Sequence, residues 1–516
     1  MRYHERSTIG RNLFVASVLA LAVFPVLPLL INAGGDVTAR PVFTYSFGIA
    51  VRNSMVIGIG VGLVSFAVGF PLGLLSRLYC FPGQTVFVWL QTVPVLLPSF
   101  LLAIGWSNLA TSVGLAGMLR SSGLASSILL LGCQAIPLPL LATRAACHNL
   151  TASQLDAARL HGGDWTVIWL SAKACGTAGA FAAMLGGVLS LSDPGAPLIL
   201  GVRVAAVEIL TSFASLYDYS LAVRQCLALA GLVLLCIAPL LWFGLPSLAA
   251  ATLALQTRTG TPCVHRGFGR LAAGGALAVL LIGLIGPVVG LCLPVVSNPM
   301  IPRALQTVGR TWTETILYAF GAGIVAVTCA TSLAIAVGRS MRWRMCVLGV
   351  MLGLFALPPA LAGLGAAQLA AKAPPGLDWL TRGAAAPCVV LGLRFLPVAT
   401  IAVLRAVLAM SPSWRDAARL HGVADISFFI RVVMPALRPA LLVAFVLVSV
   451  LASADITTQL LLQPAGRQSL PVAIFTVMAN SPEGLVASLS LAYLGCMILL
   501  LGIGTLTPLW LGRRTA

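Results

Sequence analysis

The sequence predicts an all-α membrane protein of about twelve transmembrane helices, arranged as two parallel six-helix repeats. Three observations predict it. The 516 residues are 59% hydrophobic and only 9% charged, with a mean hydropathy of +1.02, too little polar material to coat a soluble protein of this length. Apolar runs of about 20 residues, enough to cross a hydrocarbon core of roughly 30 Å, recur from end to end. The heptapeptide Asp156-Ala157-Ala158-Arg159-Leu160-His161-Gly162 returns letter for letter as Asp416-Ala417-Ala418-Arg419-Leu420-His421-Gly422.

The runs place spans near 12–33, 54–76, 84–107, 126–146, 176–200 and 224–247, then near 271–294, 313–338, 345–370, 386–408, 438–460 and 488–512. Residues 1–250 thus form a first repeat with a long polar loop at 147–175, and 271–516 a second with its loop at 409–437. Between them, 251–270 is a linker whose polar part, Gln256 to Arg270, holds Gly260, Pro262 and Gly267. The first run follows Arg2, Arg6 and Arg11 and is longer than the apolar core of a signal peptide, so it reads as an uncleaved helix. Other landmarks keep the same spacing. Pro137 and Pro397 each lie 19 residues before a heptapeptide copy, and the segment Val188 to Asp193 matches Val450 to Asp455. Six spans per repeat give both copies one orientation, hence a pseudo-two-fold axis along the membrane normal.

The formal net charge of +18 comes from Lys and Arg scattered through short loops, not from a patch, which argues against nucleic acid as a partner. The larger share of these residues, among them Arg77, Lys173, Arg258, Arg339, Arg342, Arg344, Arg415, Arg431, Arg513 and Arg514, falls on the side of the N-terminus. By the positive-inside rule both termini and both long loops are expected in the cytoplasm. The five histidines, His4, His148, His161, His265 and His421, fall there too. Twelve cysteines include no C-x-x-C, and most sit in apolar runs as small packing residues.

Each repeated loop reads as a short helix facing the cytoplasm. Asp156 and Asp416 suit a helix N-terminus, Ala-Ala-Arg-Leu favours the helix, and Gly162 and Gly422 are expected to end it in the left-handed conformation. A solvated amphipathic turn, kept twice by duplication, is the competing reading. The loop resembles the EAA loop of binding-protein-dependent ABC importer permeases, in which E-A-A is followed by three residues, Gly, nine residues and I-x-L-P. The second copy runs Asp416-Ala417-Ala418, Gly422, then Val432-Val433-Met434-Pro435. Both copies have Asp for Glu, and the first ends Ala172-Lys173-Ala174-Cys175 without the proline. The resemblance spans nearly the whole chain and implies the type I importer fold as a fused double permease.

It further implies that each loop is a coupling helix seated in a groove of an ATP-binding subunit. Ala157, Ala158, Gly162, Ala417, Ala418 and Gly422 would pack there, with Asp156, Arg159, Asp416 and Arg419 around them and Pro435 closing the second pattern. Two copies of a cytoplasmic ABC ATPase, an extracytoplasmic solute-binding protein and the lipid bilayer are the implied partners, in a bacterial cytoplasmic (inner) membrane. The only two lysines, Lys173 and Lys372, lie between alanines, so no G-x-x-x-x-G-K-[ST] loop exists. ATP and Mg are therefore expected on the partner, with no cofactor, metal or catalytic residue on this chain.

Ionisable groups inside spans cost about 2.5–3.5 kcal/mol and mark candidate paths. Asp193 and Asp455 stand at matching positions near the outer ends of spans five and eleven. With Thr458 and Gln459 they either line a cavity between the repeats or cap interfacial helix ends. Arg394, opposite Gln134, either pairs with an Asp or snorkels. Pro94, Pro98, Pro358 and Pro359 are expected to bend the third and ninth spans. Outward acids Glu208, Asp218, Asp378 and Glu483, beside Arg203, Arg303 and Arg467, suit a docked binding protein or simply water. The layout resembles the ferric iron importers most, with thiamine, phosphonate, polyamine and sulfate permeases as relatives. An ion-coupled secondary transporter also fits twelve spans and parallel repeats, and an intramembrane enzyme lacks a catalytic constellation.

Overall fold

The computed structural model describes residues 15–26, 28–29, 41–147, 150–254, 268–374, 376–464 and 466–514. His4, His148, His265, Arg258 and the linker's polar centre lie outside them, as do both ends of the expected first span. Among the described residues the regular structure is helical, without a strand. Eight helices are long and apolar enough to cross a membrane, or up to eleven if each of three bent pairs is one span. The protein is a multi-pass helical membrane protein.

Helix α1, Tyr45–Leu78, starts at Thr44, whose hydroxyl accepts the Phe47 N–H. Helices α2, Gln84–Leu96, and α3, Ser99–Ser112, meet at 101°. Next come α4, Gly123–Ala135, α5, Pro137–Ala146, and α6, Ala152–Ser190, opened by a capping box of Thr151 and Gln154. Two short helices, α7 (Gly195–Ile199) and α8 (Ala205–Ala214), precede α9, Tyr219–Ala254. After Phe268 the chain passes through α10, Gly269–Ser297, and α11, Ile301–Val337. Then α12, Met341–Ala356, and α13, Pro359–Lys372, meet at 89°, and α14, Ala385–Arg394, and α15, Leu396–Ala409, at 56°. The rest is α16, Ser413–Leu420, α17, Asp425–Ala454, α18, Ile456–Leu462, α19, Leu470–Val477, and α20, Glu483–Arg514.

The third and ninth spans, expected to run straight through with a bend, are broken nearly at right angles. Leu97 and Leu357 precede Pro98 and Pro358, which push them out of the helical region to ψ of 148° and 146°. Two successive extended residues then turn the chain. The fifth and eleventh spans also end earlier than expected, at Ser190 and Ala454, because the segments beyond them fold into α7 and α18. In α10 and α17 a wide turn precedes a proline. The Gly286 and Met434 N–H groups bond five residues back, to Leu281 and Phe429, and Pro287 and Pro435 follow with no N–H to give.

Packing is by close backbone approach, as expected between helices in lipid. Gly187 of α6 meets the Gly58 carbonyl of α1, where a Cβ would clash. Gly323 of α11 meets Ser449 and the Phe445 ring of α17. The two parts of the chain also cross over. Residues 15–26 and 28–29 pack onto the α12–α13 region, while α10 lies along α3, with Gly290 against the Gly105 carbonyl and Trp106 Nε1 donating to the Ile282 carbonyl at 3.2 Å.

Candidate functional site

Both heptapeptide copies lie at the surface just before a spanning helix. Asp156, Ala157 and Gly162 are exposed, Arg159 is half-buried, and Ala158 is tucked in. Asp416, Ala417, Arg419 and Gly422 are exposed and Ala418 is half-buried. Leu160 is 91% exposed and Leu420 88%, which places an apolar side chain fully in the surroundings at the same step of each copy.

The two copies are held differently. In the first, Arg159 pairs with Asp156 at 3.5 Å and Asp164 at 3.3 Å, while Leu155 and Ala158 pack with Cys147, Val167, Cys175 and Tyr79. Burial and the Asp164 carboxylate push the Tyr79 hydroxyl up to about 12. In the second, no residue of α16 is buried. The bends differ as well. Gly422 takes the left-handed conformation at φ +66°, but Gly162 does not. It is extended at φ −161°, and Gly163 turns the chain at φ +67°. Val423 follows Gly422, and a β-branched residue cannot adopt that conformation, so the second copy must turn one residue earlier. Gly162 is needed for room instead, since a Cβ there would strike the Thr166 hydroxyl. Pro435 is half-buried just beyond the wide turn of α17.

A second constellation lies between the two parts of the chain. A cavity of about 210 Å³ is lined by Ser99, Gln134, Ser192 and Asp193 on one side and by Leu357, Arg394, Asp455 and Thr457 on the other, among apolar neighbours. Arg394 Nε and Asp455 Oδ2 form an ion pair at 2.7 Å, with side chains 12% and 5% exposed. The guanidinium also donates to the Leu357 carbonyl at 3.4 Å and lies over the Phe395 ring at 5.5 Å. Thr458 donates to Asp455 through its N–H (3.1 Å) and its hydroxyl (2.8 Å). Thr458 and Gln459 do not line the cavity. They stand behind Asp455, where Gln459 donates to the Ala452 and Ser453 carbonyls and accepts from Ser469.

Asp193 is bound by neutral donors. Its Oδ1 accepts from the Ser99 hydroxyl at 2.7 Å and the Gly195 N–H at 2.8 Å, and among the described residues it has no cationic partner. Gln134 donates to the Leu97 carbonyl at 2.8 Å. Gln134 and Arg394 thus each satisfy the carbonyl exposed at a broken helix, one with an amide and the other with a charge. Ser99 was missed in the sequence. Its signal is the position next to Pro98, the break itself. Of the groups expected on the outer side, Glu208 accepts from Ser46, Asp378 pairs with Arg382 and Arg467 with Glu314.

No protein-family model, curated protein or solved structure matches this chain.

Proposed function

We propose that this protein is the membrane permease of an ATP-driven importer, with both permease halves fused in one chain and hydrolysis supplied by two copies of a separate ATPase. In this reading residues 1–250 and 271–516 are repeats of the type I importer fold, both termini and both heptapeptide loops face the cytoplasm of a bacterial inner membrane, and a solute-binding protein docks outside. The observation that carries it is the pair of identical heptapeptides at the surface, each joined through a glycine bend to a spanning helix, with Leu160 and Leu420 offered to a partner. An exposed rigid helix joined to a span is a suitable lever for a nucleotide-driven movement. The matching order of helix breaks, with Gln134 and Arg394 at corresponding steps, supports the repeat.

In this reading the solute passes through the cavity of Asp193, Arg394 and Asp455. The resemblance gives iron(III) as solute, with thiamine, phosphonate, polyamine and sulfate as alternatives. Among the described residues no three metal-ligating side chains converge, so an iron cargo would be chelated by the delivering protein. Asp193, a cavity carboxylate that pairs with no cation among the described residues, favours a second reading as an ion-coupled carrier. The test purifies the chain from its native membrane and measures ATP hydrolysis in the eluate. Hydrolysis should accompany the wild type and be lost with Leu160→Glu/Leu420→Glu, although the variant still inserts. Equal hydrolysis in both, or in neither, removes the importer reading in favour of the carrier.

A further inference from the structure

We propose that Cys147 and Cys175 form an oxidisable dithiol which, when bridged, staples shut the stem of the first heptapeptide loop. The two sulfurs are 3.1 Å apart. Both residues are buried, at 2% and 0% exposure, in the cluster that also holds Leu155, Ala158 and Val167. Cys147 directly follows α5 and Cys175 lies within α6, so the pair joins the two ends of the segment that carries Asp156 to Gly163. A bond here closes the loop at its base.

The placement ties in with the departure from the loop pattern. Cys175 lies 19 residues after Asp156, and Pro435 lies 19 after Asp416. The thiol therefore stands where the second loop has its proline. Cys147 is ten residues after Pro137, and the residue ten after Pro397 is Val407. The second loop has no thiol at either place. One loop is shaped by a proline, which fixes the backbone permanently, and the other by a pair of thiols whose bond can be made and broken.

The chemistry needs a two-electron oxidant, and hydrogen peroxide supplies it. One thiolate attacks the peroxide, the O–O bond breaks, an S–O bond forms, and the departing oxygen leaves as water with the thiol's proton. The second sulfur attacks the sulfenic acid, the S–S bond forms, the S–O bond breaks, and a second water leaves. A small-molecule thiol returns the pair to two thiols. In a reducing compartment the open dithiol is the resting form and the bridge is transient. Burial at 2% and 0% exposure keeps bulky reagents from the folded pair. That the staple alters transport rests on the importer reading. That it forms and stiffens the loop does not.

The test uses the full chain in membrane vesicles, treated with hydrogen peroxide, denatured and labelled with a bulky maleimide. The wild type should lose two labelled thiols, regain them after dithiothreitol, and give a Cys147–Cys175 linked peptide by mass spectrometry. Cys147→Ser and Cys175→Ser should each show no such reversible pair. Amide hydrogen exchange over residues 152–163 should slow at least several-fold in the oxidised wild type and not in Cys175→Ser. No linked peptide, or a linked peptide with unchanged exchange, overturns the proposal. A bridge with slowed exchange in a protein that carries no ATPase upholds the staple and defeats the importer reading alone.

Discussion

The pair of Arg394 and Asp455 offers the sharpest test of the cavity's construction. Replacing Arg394 by Gln copies the residue found at the other break, Gln134, and retains an amide able to reach the Leu357 carbonyl. It leaves Asp455 charged, 5% exposed and without its cation. Removing one member of a buried pair costs about 3–5 kcal/mol, because the remaining charge is uncompensated. Thr458 still gives Asp455 two hydrogen bonds, so the lower end, about 3 kcal/mol, is expected, a fall of about a hundredfold in the folded-to-unfolded ratio. Adding Asp455→Asn removes the stranded charge and should restore all but about 1 kcal/mol. Reversible unfolding in mixed micelles of rising dodecyl sulfate content, followed by tryptophan fluorescence, measures all three proteins. If Arg394→Gln loses no more than the double variant, the pair is not holding the cavity wall and the reasoning fails.

Gly163→Ala should destabilise the stem of the first loop by about 1–3 kcal/mol, since φ +67° with ψ −160° is a region essentially confined to glycine. The same micelle unfolding reads it. Gly422→Asn should keep more of the loop's shape than Gly422→Val, because only Asn tolerates φ +66° and no neighbour crowds either side chain; limited proteolysis across 413–425 compares them. Gly187→Val should cost about 1–3 kcal/mol by forcing α6 away from the Gly58 carbonyl, seen as a lower dodecyl sulfate midpoint. For Tyr79, whose folded value is raised, the stabilisation is complete below the usual tyrosine range and is lost as pH rises towards about 12. An ultraviolet titration should lose one tyrosine's share of the absorbance change near pH 12 in Tyr79→Phe, and an unchanged amplitude there would place the shift elsewhere.

Hydropathy made the spanning helices legible because length and apolarity alone decide who can live in a bilayer. It located Tyr45–Leu78 and Ile301–Val337 well in their interiors but short at their N-termini, since hydropathy ignores polar turns that extend a helix into the interface. It missed the right-angle breaks at Leu97 and Leu357 for a different reason. A proline reports that a helix is disturbed, whereas the angle depends on two consecutive extended residues and on what receives the carbonyl. The repeat of Asp193 and Asp455 was visible as letters, and an aspartate partner for Arg394 was one of two readings the letters left open, yet which aspartate it takes and the neutral partner of Asp193 were not visible. One sits by Ser99 and the other by Arg394, contacts made across about 94 and 61 positions of chain. Gly162 shows the limit of motif reading at single-residue scale. Identical heptapeptides turn at different glycines because the next residue is Gly163 in one and Val423 in the other.

The broken pairs bear on how the chain is made. Their limbs are 13, 14, 16 and 14 residues long, each short of the roughly 20 that the insertion machinery recognises as a self-sufficient passenger. A bare carbonyl at a break is intolerable in hydrocarbon until something claims it, and the claimants, Gln134 and Arg394, are synthesised afterwards. Within the chain, the side-chain donor to each of these carbonyls exists only once the downstream helix has been made, so completion of the breaks follows the direction of translation.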